Sequence, residues 1–172
     1  MSHNPRLVRR VCEKLMQKKI TPFLWFDGNA EEAAHFYVSI FKNSKVLGVS
    51  HYGKDAPGDV GTVMTVSFVL DGEEFIALNA GPTYKFSEAV SFLVSCDTQE
   101  EIDELWEKLS EGGEQRECGW LKDKFGLSWQ ICPSLVTKML GDGDQARVDR
   151  VTKALWQMNK LDLKVLEKAY RG

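Results

Sequence analysis

Side chains that could transfer a proton near neutral pH are scarce, because the chain has three histidines among its 172 residues. His51 is the best placed of them. It ends a predicted strand and precedes a loop rich in glycine, proline and aspartate, 53–61, beside which a pocket could form. His35 lies beside the apolar face of a predicted helix, and His3 lies near the N-terminus. His51 is therefore a weak catalytic candidate, with a structural role as the alternative.

Thiol and hydroxyl chemistry has equally little support. The four cysteines lie far apart and form no CxxC pair: Cys12, Cys96, Cys118 and Cys132. This pattern argues against a zinc knuckle and favours reduced thiols that act as small packing residues in a cytosolic protein. The chain contains neither a GxSxG nucleophile motif nor a phosphate-binding loop.

One strand–helix unit near the N-terminus organises the chain. Apolar and aromatic residues over Ile20–Phe26 predict a buried strand, and Gly28 breaks it. Asn29 and Glu32 have the spacing of a capping box, in which each side chain satisfies a backbone N–H of the first helical turn. Apolar residues then recur at helical spacing as far as Phe41, so an amphipathic helix is predicted.

A second copy of this unit follows at a matching offset. Ala89–Ser95 is the predicted strand, Thr98 and Glu101 repeat the capping box, and an apolar stripe runs to Leu109. The paired glycines after this stripe end the helix. The chain is therefore predicted to use one strand–helix design twice.

Three strands are predicted after each helix. In the first copy they are Lys45–Tyr52, Thr62–Leu70 and Glu73–Asn79, the last two joined by the two-residue hairpin signal Asp71-Gly72. In the second copy they are Glu114–Cys118, Trp120–Lys122 and Leu127–Cys132. The remainder is predicted to be helical, at Ser134–Leu140, at 144–159 and in a third helix capped by Asp162.

Composition excludes several classes of function. A net charge of −3 gives no electrostatic reason to bind nucleic acid or an anionic membrane. No apolar run is long enough to span a bilayer, and the N-terminus lacks the apolar centre of a secretory signal. Residues 1–19 are basic and partly amphipathic, which predicts an N-terminal extension. A cytoplasmic enzyme or binding protein is expected.

Four segments carry a resemblance to a known family: FLWFDGNAEEAAHFY, VLDGEEFIALNAGP, SFLVSCDTQEEIDELWEKLSEGG and KDKFGLSWQICP. They resemble the PhnB-like branch of the vicinal oxygen chelate superfamily, whose members are often labelled demethylubiquinone methyltransferase-like. The superfamily includes glyoxalases, extradiol dioxygenases and antibiotic-resistance proteins. The resemblance implies an α+β fold in which two βαβββ-like modules form a cup-shaped mixed sheet, commonly in a homodimer, with a small-molecule ligand in the cup.

The same resemblance implies the domain organisation. A paired glyoxalase-like domain is expected over 20–133, with modules at about 20–80 and 87–133, followed by a helical C-terminal tail over 134–172. We expect the tail to pack on the same body or on a partner chain.

Metal-dependent members of the superfamily hold a divalent cation with two histidines and two carboxylates on four strands. The positions that match these ligands carry Pro22, Ala77, Ala89 and Gln130. None of the four is a histidine or a carboxylate, and shifting the match by one residue supplies no ligand set. We therefore expect no metal and no other cofactor.

The metal-position match also predicts which strand residues face the cup. The smaller, more polar set is Pro22, Leu24, Ala77, Asn79, Ala89, Ser91, Ser128 and Gln130, which predicts a neutral ligand-binding surface. The larger apolar set is predicted to face the helices: Phe23, Trp25, Ile76, Leu78, Val90, Phe92, Val94, Trp129 and Ile131. A cup filled by a loop or by a partner chain is the alternative.

The leading functional interpretation is a protein that binds a small molecule without a metal. The alternative is an enzyme for a small metabolite, such as a lyase, isomerase or transferase, that uses a non-standard site. A purely structural module is a third possibility. Methyl transfer of the doubly wound type is not favoured, because no glycine-rich turn follows an apolar strand.

Overall fold

The structure, a computed structural model, describes residues 20–172. Two compact units divide this part of the chain, residues 20–85 and residues 86–172. Each unit contains one strand–helix–three-strand module. The extension predicted for residues 1–19 lies outside the described residues.

The first module is a four-stranded mixed sheet with one helix. Its elements are β1 (Phe23–Phe26), α1 (Ala30–Ile40), β2 (Lys45–His51), β3 (Val63–Leu70) and β4 (Glu73–Asn79). The strand order is β1-β4-β3-β2, with β1 parallel to β4 and the other neighbours antiparallel. Because β1 and β4 are parallel, the sheet cannot be built from hairpins alone, and α1 begins the crossover between them.

The β3–β4 hairpin confirms the turn prediction. Asp71 and Gly72 both have positive φ, at 44° and 86°, and Leu70 pairs directly with Glu73. Positive φ at both central residues is what a type I′ turn requires, since its twist matches that of the flanking strands.

Helix α1 packs on β3 and β4 through aromatic rings. Tyr37 stacks on Phe68 with ring centroids 6.3 Å apart, and Phe68 stacks on Phe75 at 5.5 Å. All three side chains are buried. The small residues of α1 that face the sheet let the helix approach it closely, and they are fully buried: Ala30, Ala33 and Ala34.

The N-terminus of α1 is capped differently from the sequence prediction. Asn29 occupies the N-cap position, but its side chain makes no capping hydrogen bond. Instead, Ala30 N donates to Asn79 Oδ1 at 2.8 Å, so a residue of β4 satisfies one N–H of the first helical turn. The prediction that Asn29 caps α1 is corrected, because local spacing cannot reveal a partner 49 residues away.

The second module repeats this plan with shorter strands. Its elements are β5 (Ser91–Cys96), α2 (Gln99–Ser110), β6 (Glu114–Gln115), β7 (Trp120–Lys122) and β8 (Ser128–Pro133). The strand order is β5-β8-β7-β6, with β5 parallel to β8. Buried α2 residues include Ile102, Leu105 and Leu109, on the stripe that the sequence predicts.

The capping box of α2 is present. Glu101 N donates to Thr98 Oγ1 at 3.2 Å, while Glu101 Oε2 accepts from Asp97 N at 2.9 Å. The acidic side chain thus reaches back one residue further than the predicted box. Both partners lie within five residues of chain, which is why spacing alone identifies this helix start.

Three C-terminal helices follow β8: α3 (Ser134–Leu140), α4 (Gln145–Leu155) and α5 (Leu163–Arg171). They bury a small apolar cluster of their own: Val136, Met139, Val151, Leu161 and Leu166. The Gln99 side chain bonds both the carbonyl of Leu161 (3.1 Å) and the N–H of Leu163 (2.8 Å), which ties the tail to α2.

The fold class predicted from sequence is confirmed. The described chain is α+β, with two βαβββ modules and a helical C-terminal segment. Within residues 20–172, no helix combines the length and apolarity needed to cross a membrane.

Candidate functional site

Each module presents one sheet face to its helix and the opposite face, its open face, away from it. In the first module the buried strand residues share one face: Leu24 and Ala77 are cross-strand partners, and Ala77 also pairs with Val66. The alternate strand residues point to the open face. Phe23 is one of them and is 56% exposed.

This arrangement corrects the predicted face assignment for the first module. Leu24 and Ala77 lie under α1, whereas Phe23 and Ile76 lie on the open face. Both parities of β1 and β4 are apolar, so hydrophobic alternation could not distinguish the two faces. Pro22 precedes β1, and its carbonyl accepts a hydrogen bond from Ile76 N at 3.0 Å.

The open face of the first module combines aromatic rings with hydroxyl groups. Ser50 Oγ and Thr65 Oγ1 are 2.6 Å apart, and Thr65 pairs with Leu78. The Trp25 indole N–H donates to Gly81 O at 2.8 Å, and its ring meets Tyr84 edge-on with centroids 4.9 Å apart. The donor of Trp25 is thereby satisfied, and its ring remains available for stacking.

A cleft of about 850 Å³ lies at the end of this module where β1 and β4 terminate. Trp25, Tyr52 and Asn79 line it, together with the loop 57–63. The Tyr52 hydroxyl donates to Asn79 O, and a Cβ added to Gly58 would meet the Tyr52 ring at 2.5 Å. Glycine at position 58 therefore lets this loop close against the tyrosine ring.

Asn79 is predicted to bind ligand, but its side chain has two structural partners. Its Oδ1 accepts from Ala30 N, and its Nδ2 donates to Val63 O at 3.1 Å. Both functional atoms of the amide thus hold α1 and β3 in place. The residue lies in the cleft, and its amide fixes the shape of the cleft wall.

Neither His35 nor His51 lines this cleft. His51 ends β2 with an exposed side chain, pairs with Val63, and is not among the residues that line the cleft. His35 is exposed on α1. A catalytic role for His51 stays a prediction.

On the second module, the structure places the predicted polar residues on the open face. Gln130 Nε2 donates to Ser91 Oγ at 2.8 Å, which joins β8 to β5. Leu93 and Trp120 pair with Gln130 from either side, and Leu93 is 55% exposed. The large apolar residues Trp129 and Ile131 are buried on the opposite face, toward α2.

Ser128 lies on the same sheet face but is 1% exposed, and its Oγ has no hydrogen-bond partner among residues 20–172. Ala89 and Val90 precede β5 and are exposed. Of the predicted set, the structure therefore places Ser91, Ser128 and Gln130 on one face of the sheet, where Ser128 is buried.

Four charged residues form a network at the edge of this surface: Glu88, Glu114, Arg116 and Lys122. Arg116 contacts Glu88 at 2.7 Å and Glu114 at 2.9 Å, and Lys122 contacts Glu114 at 2.8 Å. The pKa of Glu88 is lowered, chiefly by its own backbone hydrogen bond and by Arg116. The pKa of Glu114 is lowered by hydrogen bonds from Lys122 and Arg116. Sequence reasoning missed this network, because Glu88 and Arg116 are 28 residues apart and lie in different loops, one before β5 and one between β6 and β7.

The residues present do not fit a divalent cation. The positions that match the metal ligands of the superfamily offer one side-chain amide: Pro22, Ala77, Ala89 and Gln130. The neighbouring positions on the open faces carry Phe23, Ile76, Leu93 and Ser91. Within residues 20–172, no three His, Cys, Asp or Glu side chains are grouped as metal ligands would be. Hard and borderline cations require such oxygen or nitrogen donors.

The described cysteines are free thiols with raised pKa values. Burial raises the pKa of Cys96 to about 12, and burial also raises the pKa of Cys132 and Cys118. Because the thiolate is the nucleophile, all three are weakly reactive near neutral pH.

Comparison with known proteins agrees with this architecture. The model of the 3-demethylubiquinone-9 3-methyltransferase family matches residues 18–132. The PhnB protein from Bacillus cereus is 39% identical, with a TM-score of 0.61, over 67% of this chain and 98% of that chain. The chain belongs to this family. It is thus a PhnB-like member of the vicinal oxygen chelate superfamily.

More distant structures share the fold alone. A protein from Pseudomonas aeruginosa is 23% identical with a TM-score of 0.54, over 67% of this chain and 98% of that one. The fosfomycin resistance protein FosX from Listeria monocytogenes, complexed with Mn(II) and sulfate, is 12% identical with a TM-score of 0.51 over 72% of this chain and 95% of that one. No curated protein sequence matches the chain.

Proposed function

We propose that this PhnB-like protein binds an uncharged small molecule on its open faces, without a metal ion. One observation carries the proposal: large apolar side chains are exposed there beside neutral hydrogen-bonding groups. Leu93 is 55% exposed next to the Ser91–Gln130 pair, and Phe23 is 56% exposed on the first module. Covering each half-exposed side chain would contribute roughly 1 kcal/mol, since full burial of such a residue is worth about 1.5–3 kcal/mol.

The polar groups define the kind of ligand that would fit. The Gln130 amide uses one N–H to bond Ser91, which leaves its second N–H as a donor and its carbonyl as an acceptor. These groups carry no charge, and the nearby ions of the Glu88 network already pair with one another. A ligand with one donor or acceptor on an apolar frame, such as an alcohol, amide or ketone, matches this surface.

Native mass spectrometry of protein purified from its host without chelators tests this proposal. We expect a homodimer, because paired modules in this superfamily commonly close against a partner chain. We also expect a bound organic mass and no stoichiometric metal. A stoichiometric divalent cation would contradict the metal-free assignment; the FosX crystal structure, for comparison, is a complex with Mn(II).

Substitutions localise the ligand once its mass is known. Gln130→Ala and Leu93→Ser should each weaken binding by about tenfold, since each removes roughly 1–1.5 kcal/mol of contact. Ser39→Ala is the matched control, because Ser39 is exposed on α1 and its hydroxyl donates to the carbonyl of Phe36 in the same helix. Equal affinity of Gln130→Ala and the control would place the ligand elsewhere.

Methyl transfer, which the family name describes, is not the activity we propose. Methyltransferases of the doubly wound class use several adjacent parallel strands and a glycine-rich turn. Within residues 20–172, each sheet has one parallel pair, β1–β4 or β5–β8. We expect no binding of S-adenosylmethionine by isothermal titration calorimetry at millimolar concentration. Saturable binding would refute this expectation.

A further inference from the structure

A second cleft, of about 650 Å³, lies within residues 86–172, where the C-terminal helices meet β6 and β7. Glu88, Arg116, Glu117, Trp120 and Trp156 line it. None of Ser91, Ser128 and Gln130 belongs to its wall. Trp156 lies beyond residue 132, where the family match ends, so family membership does not predict this cleft.

The wall of this cleft is held by backbone bonds between the tail and the loop before β7. Cys118 N donates to Met158 O and Gly119 N donates to Asn159 O, both at 2.7 Å. Gly119 has φ +81°, and a Cβ there would lie 2.7 Å from Ile131 O in β8 and 3.1 Å from Leu161 Cδ1 in the tail. These bonds and close contacts hold the loop before β7 at a fixed distance from the tail. They thereby fix the positions of the two segments that carry Trp120 and Trp156.

Two indole rings and an unpaired carboxylate give the cleft its chemical character. Trp156 is 68% exposed at the end of α4, although a surface indole of this size is ordinarily covered. Within residues 20–172, Glu117 makes no ion pair, while Glu88 and Glu114 share Arg116 and Lys122. The paired network sums to zero charge, so Glu117 leaves the cleft with one net negative charge.

We propose that this cleft binds a small organic cation, of the alkylated ammonium class, between its indole rings. The face of an indole attracts a cation through its quadrupole, and aromatic pockets with a nearby carboxylate recognise quaternary ammonium groups. An anionic ligand fits less well. Arg116, the cation that residues 20–172 contribute to the wall, already contacts two carboxylates, at 2.7 and 2.9 Å.

Choline and 3,3-dimethylbutan-1-ol form the matched pair of probes, because they have the same shape and differ in charge. Titration of the intact protein is followed by indole resonances in NMR spectra. We expect choline to bind with a millimolar dissociation constant and the neutral alcohol to bind at least tenfold more weakly. Equal binding of the two probes, or no binding of choline at 20 mM (about twentyfold above a dissociation constant of 1 mM), overturns the proposal.

Variants assign the binding to this cleft. Trp156→Leu should weaken choline binding at least tenfold and Glu117→Gln about threefold, whereas Trp156→Phe should retain part of the affinity. Glu111→Gln is the control, since this exposed carboxylate lies outside the cleft wall. Unchanged choline affinity in Trp156→Leu overturns the assignment. Gln130→Ala should leave choline binding intact, so this experiment and the open-face experiment fail independently.

Discussion

Asp123 holds the turn between β7 and β8 through three hydrogen bonds to one buried carboxylate. Its Oδ1 accepts from Phe125 N (2.8 Å) and Leu127 N (3.0 Å), and its Oδ2 accepts from Trp129 Nε1 (2.8 Å). The residue is 2% exposed. Replacing it with alanine leaves these three donors without their carboxylate partner.

The cost follows from the charge and the burial of the group. A hydrogen bond to a charged group contributes about 1.5–3 kcal/mol, but water that enters the vacated space can satisfy part of the lost bonding. We therefore expect Asp123→Ala to destabilise the protein by about 3–5 kcal/mol. Asp123→Asn should cost about 2–3 kcal/mol, because it keeps one acceptor and turns an N–H toward another donor.

Urea unfolding followed by circular dichroism at pH 7 measures these differences. Asp55→Ala, at an exposed loop position, is the matched control and should change the free energy of unfolding by less than 0.5 kcal/mol, as is usual for surface sites. Trp129→Phe combined with Asp123→Ala isolates the indole–carboxylate bond, for which we expect a coupling of about 1.5–3 kcal/mol. An Asp123→Ala protein within 1 kcal/mol of wild type would refute the role assigned to this carboxylate.

Four further predictions concern stability, proteolysis and thiol reactivity. Asn79→Ala removes the cap on Ala30 N and should lower the free energy of unfolding by about 1–2 kcal/mol in urea titrations; no change would refute the cap. Gly119→Ala forces a Cβ onto a backbone oxygen and should speed proteolysis of the C-terminal helices; wild-type resistance would contradict the tight fit. Iodoacetamide should modify Cys118 before Cys96, because burial raises the pKa of Cys96 to about 12. The same shift stabilises the fold below pH 9, and this contribution is lost as the pH rises from 9 to about 12. The free energy of unfolding of Cys96→Ala should therefore fall less steeply than that of the wild type over this pH range.

Local rules predicted the elements whose determinants are close in sequence. The type I′ turn at Asp71-Gly72 and the capping box at Thr98 both depend on residues within a few positions of one another. The family resemblance, likewise carried by short segments, is confirmed. Hydrophobic periodicity predicted which helices and strands form. Some predicted boundaries match the structure, as in Glu73–Asn79, and the others differ by up to four residues.

The features that the sequence did not predict depend on contacts between residues that are far apart in the chain. In the second module, the apolar and polar parities differ clearly, and the predicted face for Ser91 and Gln130 matches the structure. In the first module, Leu24 and Phe23 are equally apolar, so only packing against α1 decides which is buried. The cleft at Trp156 joins residues some 40 positions apart, a distance that no local pattern spans.

The two helix caps imply that α1 and α2 form at different stages of folding. The cap of helix α2 is formed by residues 97–101 alone, so the first turn of this helix can nucleate without contacts from the rest of the chain. Helix α1 receives its cap from Asn79, so its first turn stays open until β4 has joined the sheet. The entropy cost of closing that long loop must be met before the cap hydrogen bond forms, which slows formation of the first turn of α1. Substitutions at Thr98 should therefore change the folding rate, whereas substitutions at Asn79 should mainly change the unfolding rate.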